Sequence, residues 1–242
     1  MTDAVATTHI LSGNLSDILN FLAAAGGLGA AAMGLVDSTK AFWGGPSNFG
    51  FGYIRCAVEP FLVKGSETTS GFGADDVVRT LKANWLNGVA KADQKAKARS
   101  LIHLGLTQGN AAALAAAARV DPEKLTSLAQ KIAAGTKANP DEIAVLGQFD
   151  AVVSAVLDAA YERGDQKYRN ASKFLAMLVA TALGAIGGWF VFGANSVWSY
   201  VASEQFGLSL LVGLSATPLA PVAKDLASSL QAAVAAVSTV KR

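Results

Sequence analysis

The segment FLAMLVATALGAIGGWFVFGANSVWSYVAS, residues 174–203, carries no charged side chain at any of its 30 positions. A helix that crosses the hydrocarbon core of a bilayer needs about 20 predominantly apolar residues, so this segment is long enough to span it. Two further uncharged segments, residues 18–36 and 205–223, have 19 residues each. The sequence therefore predicts an all-α membrane protein with about three transmembrane helices and a cytoplasmic helical unit.

The composition agrees with this prediction. Hydrophobic residues make up 52% of the 242-residue chain and charged residues only 16%, whereas a soluble domain carries about a quarter charged residues. Cys56 is the only cysteine, which excludes an intrachain disulfide, and the two histidines, His9 and His103, are far apart in the sequence. We therefore expect no metal site.

The basic residues predict the orientation in the membrane. All 20 lysines and arginines lie in residues 40–173 and 224–242, and cytoplasmic loops are enriched in Lys and Arg near the spans. The predicted topology has the N-terminus outside, residues 40–173 in the cytoplasm, a short turn at 197–205 outside and the C-terminus in the cytoplasm. The first 39 residues contain no Lys or Arg, unlike a secretory signal, so we expect the first span to be retained.

The predicted organisation has five parts. They are residues 1–39 with the outside N-terminus and the first span, 40–72 as an interfacial loop rich in glycine and aromatic residues, 73–165 as the cytoplasmic helical domain, 166–223 with the second and third spans, and 224–242 as an amphipathic helix. Pro218 and Pro221 each remove a backbone donor, so we expect the third span to end near residue 220. The C-terminal helix can lie on the membrane surface or on the helical domain.

Local signals mark the helices of residues 73–165. Asp121 is a predicted N-cap followed by Pro122 in the first turn, and Gly135 is a predicted stop. Pro140 starts another helix, and no breaker stronger than Gly164 separates that helix from the second span. The two can therefore form one long helix that couples the helical domain to the membrane.

Aromatic residues flank the predicted spans. Tyrosine and tryptophan are enriched at membrane interfaces, because their rings are apolar at one end and polar at the other. The predicted interface residues are Trp43, Tyr53 and Tyr168 on the inner side and Trp198 and Tyr200 on the outer side.

The stretch GLGAAA, residues 27–32, matches the G-x-G-x-x-A pattern of a dinucleotide-binding loop. That loop needs a preceding strand and an acidic residue about twenty positions later. In this chain a helix-like run precedes the stretch in place of a strand, and Ser47 and Asn48 occupy the place of the acidic residue. We therefore predict no cofactor. Small residues at helical spacing instead predict surfaces for close helix packing on both the first and the second span, which pack on each other or on neighbouring copies of the chain. This set is Ala23, Gly26, Gly27, Gly29, Ala30, Gly34, Ala180, Gly184 and Gly188.

The helical domain contains one basic stretch, KADQKAKAR, at residues 91–99. Such a stretch can contact anionic lipid or nucleic acid, but a solvated helix face explains it better. Arg119 is the only base-reading side chain on the following helix, so we predict no nucleic-acid partner. His103 is expected to be a core residue, and no group of residues forms a catalytic constellation.

Two segments resemble parts of uncharacterised bacterial integral membrane proteins. YERGDQKYRNASKFLAMLVATALG is similar to the segment that leads into a span in those proteins, and GLSATPLAPVAKDLASSL is similar to their last span. The matching residues of the last span are Ala220, Pro221, Asp225 and Leu226, whereas Val222, Ala223 and Lys224 replace the usual aromatic residues. The resemblance covers roughly the last 80 residues. It implies a bacterial inner-membrane protein and no active site.

The spans contain no charged residue, so they lack the groups that a proton relay or an ion-coupled transporter uses. Together with the small-residue faces, this predicts a structural or scaffold protein of the bacterial inner membrane that self-associates through these faces. The alternative is a subunit of an oligomeric channel or pore gated by the cytoplasmic domain. The expected partners are the lipid bilayer, further copies of the chain and another membrane or cytoplasmic protein.

Overall fold

The structure is a computed structural model that describes residues 2–62, 73–192 and 196–240. In these ranges the chain forms α-helices and short 3-10 turns and contains no strand. The helices are α1 (Thr2–Ser38), α2 (Lys40–Trp43), α3 (Asn48–Val58), α4 (Ala74–Leu86), α5 (Lys91–Leu104), α6 (Ala111–Ala118), α7 (Pro122–Ala134), α8 (Pro140–Phe192), α9 (Val197–Val201) and α10 (Glu204–Val240). Three of them are long and apolar enough to cross a membrane, which confirms the predicted fold class.

The chain divides into two compact units. We call Met1–Pro46 with Asn170–Arg242 the apolar unit, and Ser47–Arg169 the polar unit. Helix α8 contributes residues to both, because it continues for 53 residues without interruption. This continuity agrees with the long helix that the sequence allows.

Large apolar side chains fill the core of the polar unit. Phe149 and Leu125 are fully buried, and the ring centre of Trp85 lies 6.2 Å from that of Tyr161. The indole nitrogen of Trp85 donates a hydrogen bond of 2.7 Å to the carbonyl oxygen of Ser47. The core therefore joins the start of the unit to α4 and α8.

The predicted helix ends of the polar unit are confirmed. The Asp121 carboxylate accepts hydrogen bonds from two backbone N–H groups of the first turn of α7. Gly135 ends that helix with a φ of 65°, a conformation that glycine adopts without steric cost. Helix α8 begins at Pro140, as the sequence predicts.

The interfacial loop predicted for residues 40–72 is wrong over residues 48–58, where α3 forms. Its buried residues, Gly50, Phe51, Ile54 and Val58, recur at helical spacing. A Cβ atom at Gly50 would overlap the carbonyl oxygen of Gly164, so only glycine allows α3 to come this close to α8. Tertiary packing therefore outweighs the poor helix propensity of the glycines.

The predicted break at the two prolines is also wrong, since α10 continues through Pro218 and Pro221. The C-terminal segment from residue 224 is thus part of the same helix as far as Val240. Each proline removes only one backbone donor, and neighbouring helices stabilise proline-containing helices in membrane proteins. Here α1 packs on the same stretch of α10, against Ala216 and Ala220.

Candidate functional site: the helix-packing surfaces of the apolar unit

Glycines of α1 lie directly against α10. A Cβ atom at Gly26 would overlap the Cβ of Ala223, and one at Gly29 would overlap the carbonyl oxygen of Ala216. Neither position has room for a side chain. Two of the predicted packing residues therefore bring α1 into contact with α10, within a single chain.

The order of these contacts is opposite along the two helices. From Gly26 to Gly29 on α1, the contacted residues on α10 fall from Ala223 to Ala216, as in an antiparallel pair. Three successive crossings would make the first and third spans run in the same direction. The antiparallel contact of α1 and α10 therefore disagrees with the predicted topology, in which both helices cross the membrane in the same direction.

The small residues of α8 also lie against α10. A Cβ atom at Gly184 would come within 2.9 Å of the Ser209 carbonyl oxygen, and one at Gly213 would come within 2.8 Å of the Ala180 carbonyl oxygen. A Cβ atom at Gly188 would overlap the Ser209 hydroxyl. The small face of α8 is thus occupied by α10 of the same chain.

The three long helices meet at a cluster of alanines. Ala32 of α1, Ala180 of α8 and Ala216 of α10 have no exposed surface and form one buried cluster. Small faces were predicted on the first two spans, and the third span has one as well. The signal was present in the spacing of Gly213, Ala216, Ala220 and Ala223 on α10.

One small-residue surface of α1 stays open. Ala23, Gly27, Ala30 and Gly34 are all exposed, and we call them the open face. A Cβ atom added at Gly27 or Gly34 would meet no atom within 4 Å. The nine predicted packing residues therefore separate into a set that packs against another helix of the chain and a set with open space beside it.

The predicted interface aromatics fall into different environments. Trp198 is 83% exposed and Tyr53 is 45% exposed, the latter on α3. The ring centre of Tyr168 lies 6.5 Å from that of Trp85, so this ring packs within the polar unit. The side chain of Trp43 lies outside the described residues.

Tyr200 is buried among residues of α8 and α10. Only 4% of it is exposed, and its hydroxyl donates a hydrogen bond of 3.0 Å to the Ala185 carbonyl oxygen. The same hydroxyl lies 2.9 Å from the Ser209 hydroxyl, and its ring packs edge-on against Phe206. The missing side chain of Gly188 provides the space for this group, because a Cβ there would overlap the Tyr200 hydroxyl.

The basic stretch of the polar unit is paired with acidic residues of α8. Lys91 lies 2.6 Å from Asp165, and Lys95 contacts Asp158. Arg99 continues the series with a contact of 2.9 Å to Asp150. We call these contacts the ion-pair ladder. They neutralise most of the charge that a lipid or nucleic-acid partner would recognise.

The carboxylate of Asp150 also contacts the imidazole of His103, which is half-buried beside Phe149. His103 therefore lies at the edge of the core, partly exposed, and not within the core as predicted; its polar partner is Asp150. Asp165 lies at the other end of the ladder. Burial raises the pKa of Asp165, but hydrogen bonds from Lys91 and Arg169 lower this pKa by more than burial raises it, so the net pKa is below its usual range.

Glu142 fixes the start of α8. Its carboxylate accepts hydrogen bonds from the backbone N–H of Asn139 at 2.7 Å, from Lys131 at 2.8 Å and from the hydroxyl of Ser127 at 2.8 Å. These bonds favour the charged carboxylate, so they lower the pKa of Glu142 to about 2. This arrangement joins the end of α7 to the start of α8.

Within the described ranges, no three His, Cys, Asp or Glu side chains lie close enough together to hold a metal ion. Comparison of the chain with protein-family models, with curated proteins and with solved structures gives no match. The helix-packing surfaces of the apolar unit are therefore the features from which a function can be argued.

Proposed function

We propose that the chain is a structural or scaffold protein of the bacterial inner membrane that self-associates through the open face of α1. Helix α1 carries two sets of small residues, and only one of them is occupied within the chain. In a bilayer, small residues favour association because they let helix backbones approach closely. The open space beside Gly27 and Gly34 is the observation that carries the proposal.

The particle mass of the full chain in mild detergent tests this proposal. We expect Gly27→Leu and Gly34→Leu to reduce the mass of the particle, because each side chain would hold a second backbone away. Gly207→Leu is the matched control, since Gly207 is also exposed with no atom within 4 Å of an added Cβ but lies on α10. Gly184→Leu is not a test of self-association, because Gly184 packs within the chain. A wild-type particle with the mass of one chain would contradict the proposal.

A channel or pore subunit is the alternative. It is supported by the continuity of α8, which links residues of the polar unit to an apolar segment by one helix. Purified protein in planar bilayers would then conduct ions or small solutes, and Gly164→Pro, which interrupts α8, would change the gating. Absence of conductance with a correctly assembled particle would eliminate this alternative.

We propose that residues 40–173 and the C-terminus are cytoplasmic, as the distribution of Lys and Arg indicates. The same distribution favours an N-terminus outside, but that topology requires α1 and α10 to run in the same direction, in conflict with their antiparallel contact. Because α1 and α10 pack antiparallel, the measurement that tests this topology is the side of the membrane on which each end of the chain lies. Single cysteines at Ser12 and Ser238, in a Cys56→Ser background, would be labelled from intact cells with a membrane-impermeant maleimide. Labelling of Ser12→Cys alone supports three crossings. Equal labelling of both positions shows that α1 does not cross.

A further inference from the structure

A groove runs beside the contact between α1 and α10 and has a volume of about 650 Å³. This size is within the range of small-molecule sites, about 300–1,000 Å³. Gly27, Ala30 and Met33 line it from α1, and Thr217, Pro221 and Lys224 line it from α10. Among the residues that line it, only Thr217 and Lys224 have polar side chains.

The hydroxyl in the groove has no partner. Thr217 is only 7% exposed, and its side-chain oxygen makes no hydrogen bond to any described residue. The carbonyl oxygen of Thr217 also lacks its usual helical donor, because Pro221, four residues later, has no N–H. Water is scarce at membrane depth, so a polar group of a ligand is the natural partner for a buried hydroxyl.

The ammonium group marks the other end of the groove. Lys224 follows Thr217 by seven residues, a distance of about 10 Å along a helix. None of the described acidic side chains forms an ion pair with Lys224, and no acidic residue lines the groove. Lysine near a membrane surface attracts anionic lipid headgroups. The charge of the groove therefore complements a negatively charged amphiphile.

We infer that this groove binds one anionic phospholipid. The phosphate lies at Lys224, an ester carbonyl accepts a hydrogen bond from the Thr217 hydroxyl, and an acyl chain lies along Gly27, Ala30 and Met33. The glycine at position 27 keeps the groove wide enough for the chain. This inference requires that the apolar unit be in a membrane. Gly27 and Ala30 belong both to the groove and to the open face, so a lipid and a second copy of the chain would compete for them.

Native mass spectrometry of the full chain with dioleoylphosphatidylglycerol or dioleoylphosphatidylcholine tests the inference. We expect the wild-type chain to retain the anionic lipid about fivefold more than the zwitterionic lipid, the effect of one lysine near the surface. Lys224→Gln should abolish this preference, whereas Lys173→Gln, the control for a general charge effect, should leave it unchanged. Thr217→Val should lower retention of both lipids by about threefold, and Thr217→Ser should restore it.

Equal retention of the two lipids by the wild-type chain would overturn the inference, and so would an equal effect of the two lysine variants. Lipid-free dimers that Thr217→Val dissociates would also overturn it, since they would show that a second copy occupies the groove. The same spectra report the mass of the complex. A monomer that still prefers the anionic lipid would contradict self-association and leave the groove assignment standing.

Discussion

The two units of this chain are both helical, but opposite kinds of side chain hold them together. The core of the polar unit is built from large residues such as Phe149, Leu125 and Tyr161. The buried positions of the apolar unit are mostly alanine and glycine, such as Ala32 and Gly29. In water, burial of apolar area drives packing. In a bilayer, lipid tails are as apolar as the helices, so close contact between backbones takes its place.

This difference predicts opposite sensitivities to mutation, and the largest expected effect is in the polar unit. Phe149→Ala removes a fully buried ring that contacts Phe61 and His103, so it should lower the free energy of unfolding by about 3–5 kcal/mol. Ala32→Gly removes one methyl group from the apolar unit, and its cost should be about 1 kcal/mol, the difference in helix propensity between alanine and glycine. Hydrogen exchange of the amides of α7 and α10 measures each unit separately. Equal protection of α7 in Phe149→Ala and wild type would contradict the prediction.

Replacing a small residue by a large one should destabilise only the apolar unit. Gly29→Leu places a side chain where α10 already lies, so it should destabilise the contact between α1 and α10 by about 1–3 kcal/mol. Gly34→Leu, on the open face of the same helix, is the matched control. Faster exchange of α10 amides in Gly29→Leu, with little change in Gly34→Leu, is the expected result. Equal exchange in the two variants would show that the two faces of α1 are not different.

Acid should weaken the polar unit first. The pKa of Glu142 is about 2 in the folded chain, below its ordinary value of 4.5. The stabilisation by its hydrogen bonds is therefore complete above pH 4.5 and is lost as the pH falls towards 2. Hydrogen exchange of the α7 amides across this range measures the loss. Glu142→Gln should be less stable at neutral pH and should show a smaller decrease in protection on acidification; an unchanged acid profile would contradict this assignment.

The ion-pair ladder should have the smallest effect. Lys95 and Asp158 are both partly exposed, so their interaction should contribute only about 0.2–1 kcal/mol to the stability of the polar unit. A double-mutant cycle with Lys95→Ala and Asp158→Ala, followed by hydrogen exchange of α5 amides, isolates this contribution. The coupling should decrease in 1 M salt, where the Debye length is about 3 Å. A coupling above 2 kcal/mol that is independent of salt would contradict this account.

The sequence predicted what depends on local signals: the uncharged spans, the N-cap at Asp121 and the start of α8 at Pro140. It did not predict α3, because the glycines of this helix are explained only by its approach to Gly164, more than a hundred residues away. It also placed a break at Pro221, because the support that α10 receives from α1 is tertiary. The small faces of α1 and α8 were recognised, but spacing alone does not show which helix covers them.

In the proposed function, α1 has one face for its own chain and another for a second copy. Disulfide cross-linking in native membranes tests it directly, because Cys56 is the only cysteine and Cys56→Ser removes it. In that background, Gly34→Cys on the open face should form a covalent dimer on oxidation. Ala25→Cys, at a fully buried position of the same helix, should remain monomeric. A monomer for Gly34→Cys under all oxidising conditions would contradict the claim.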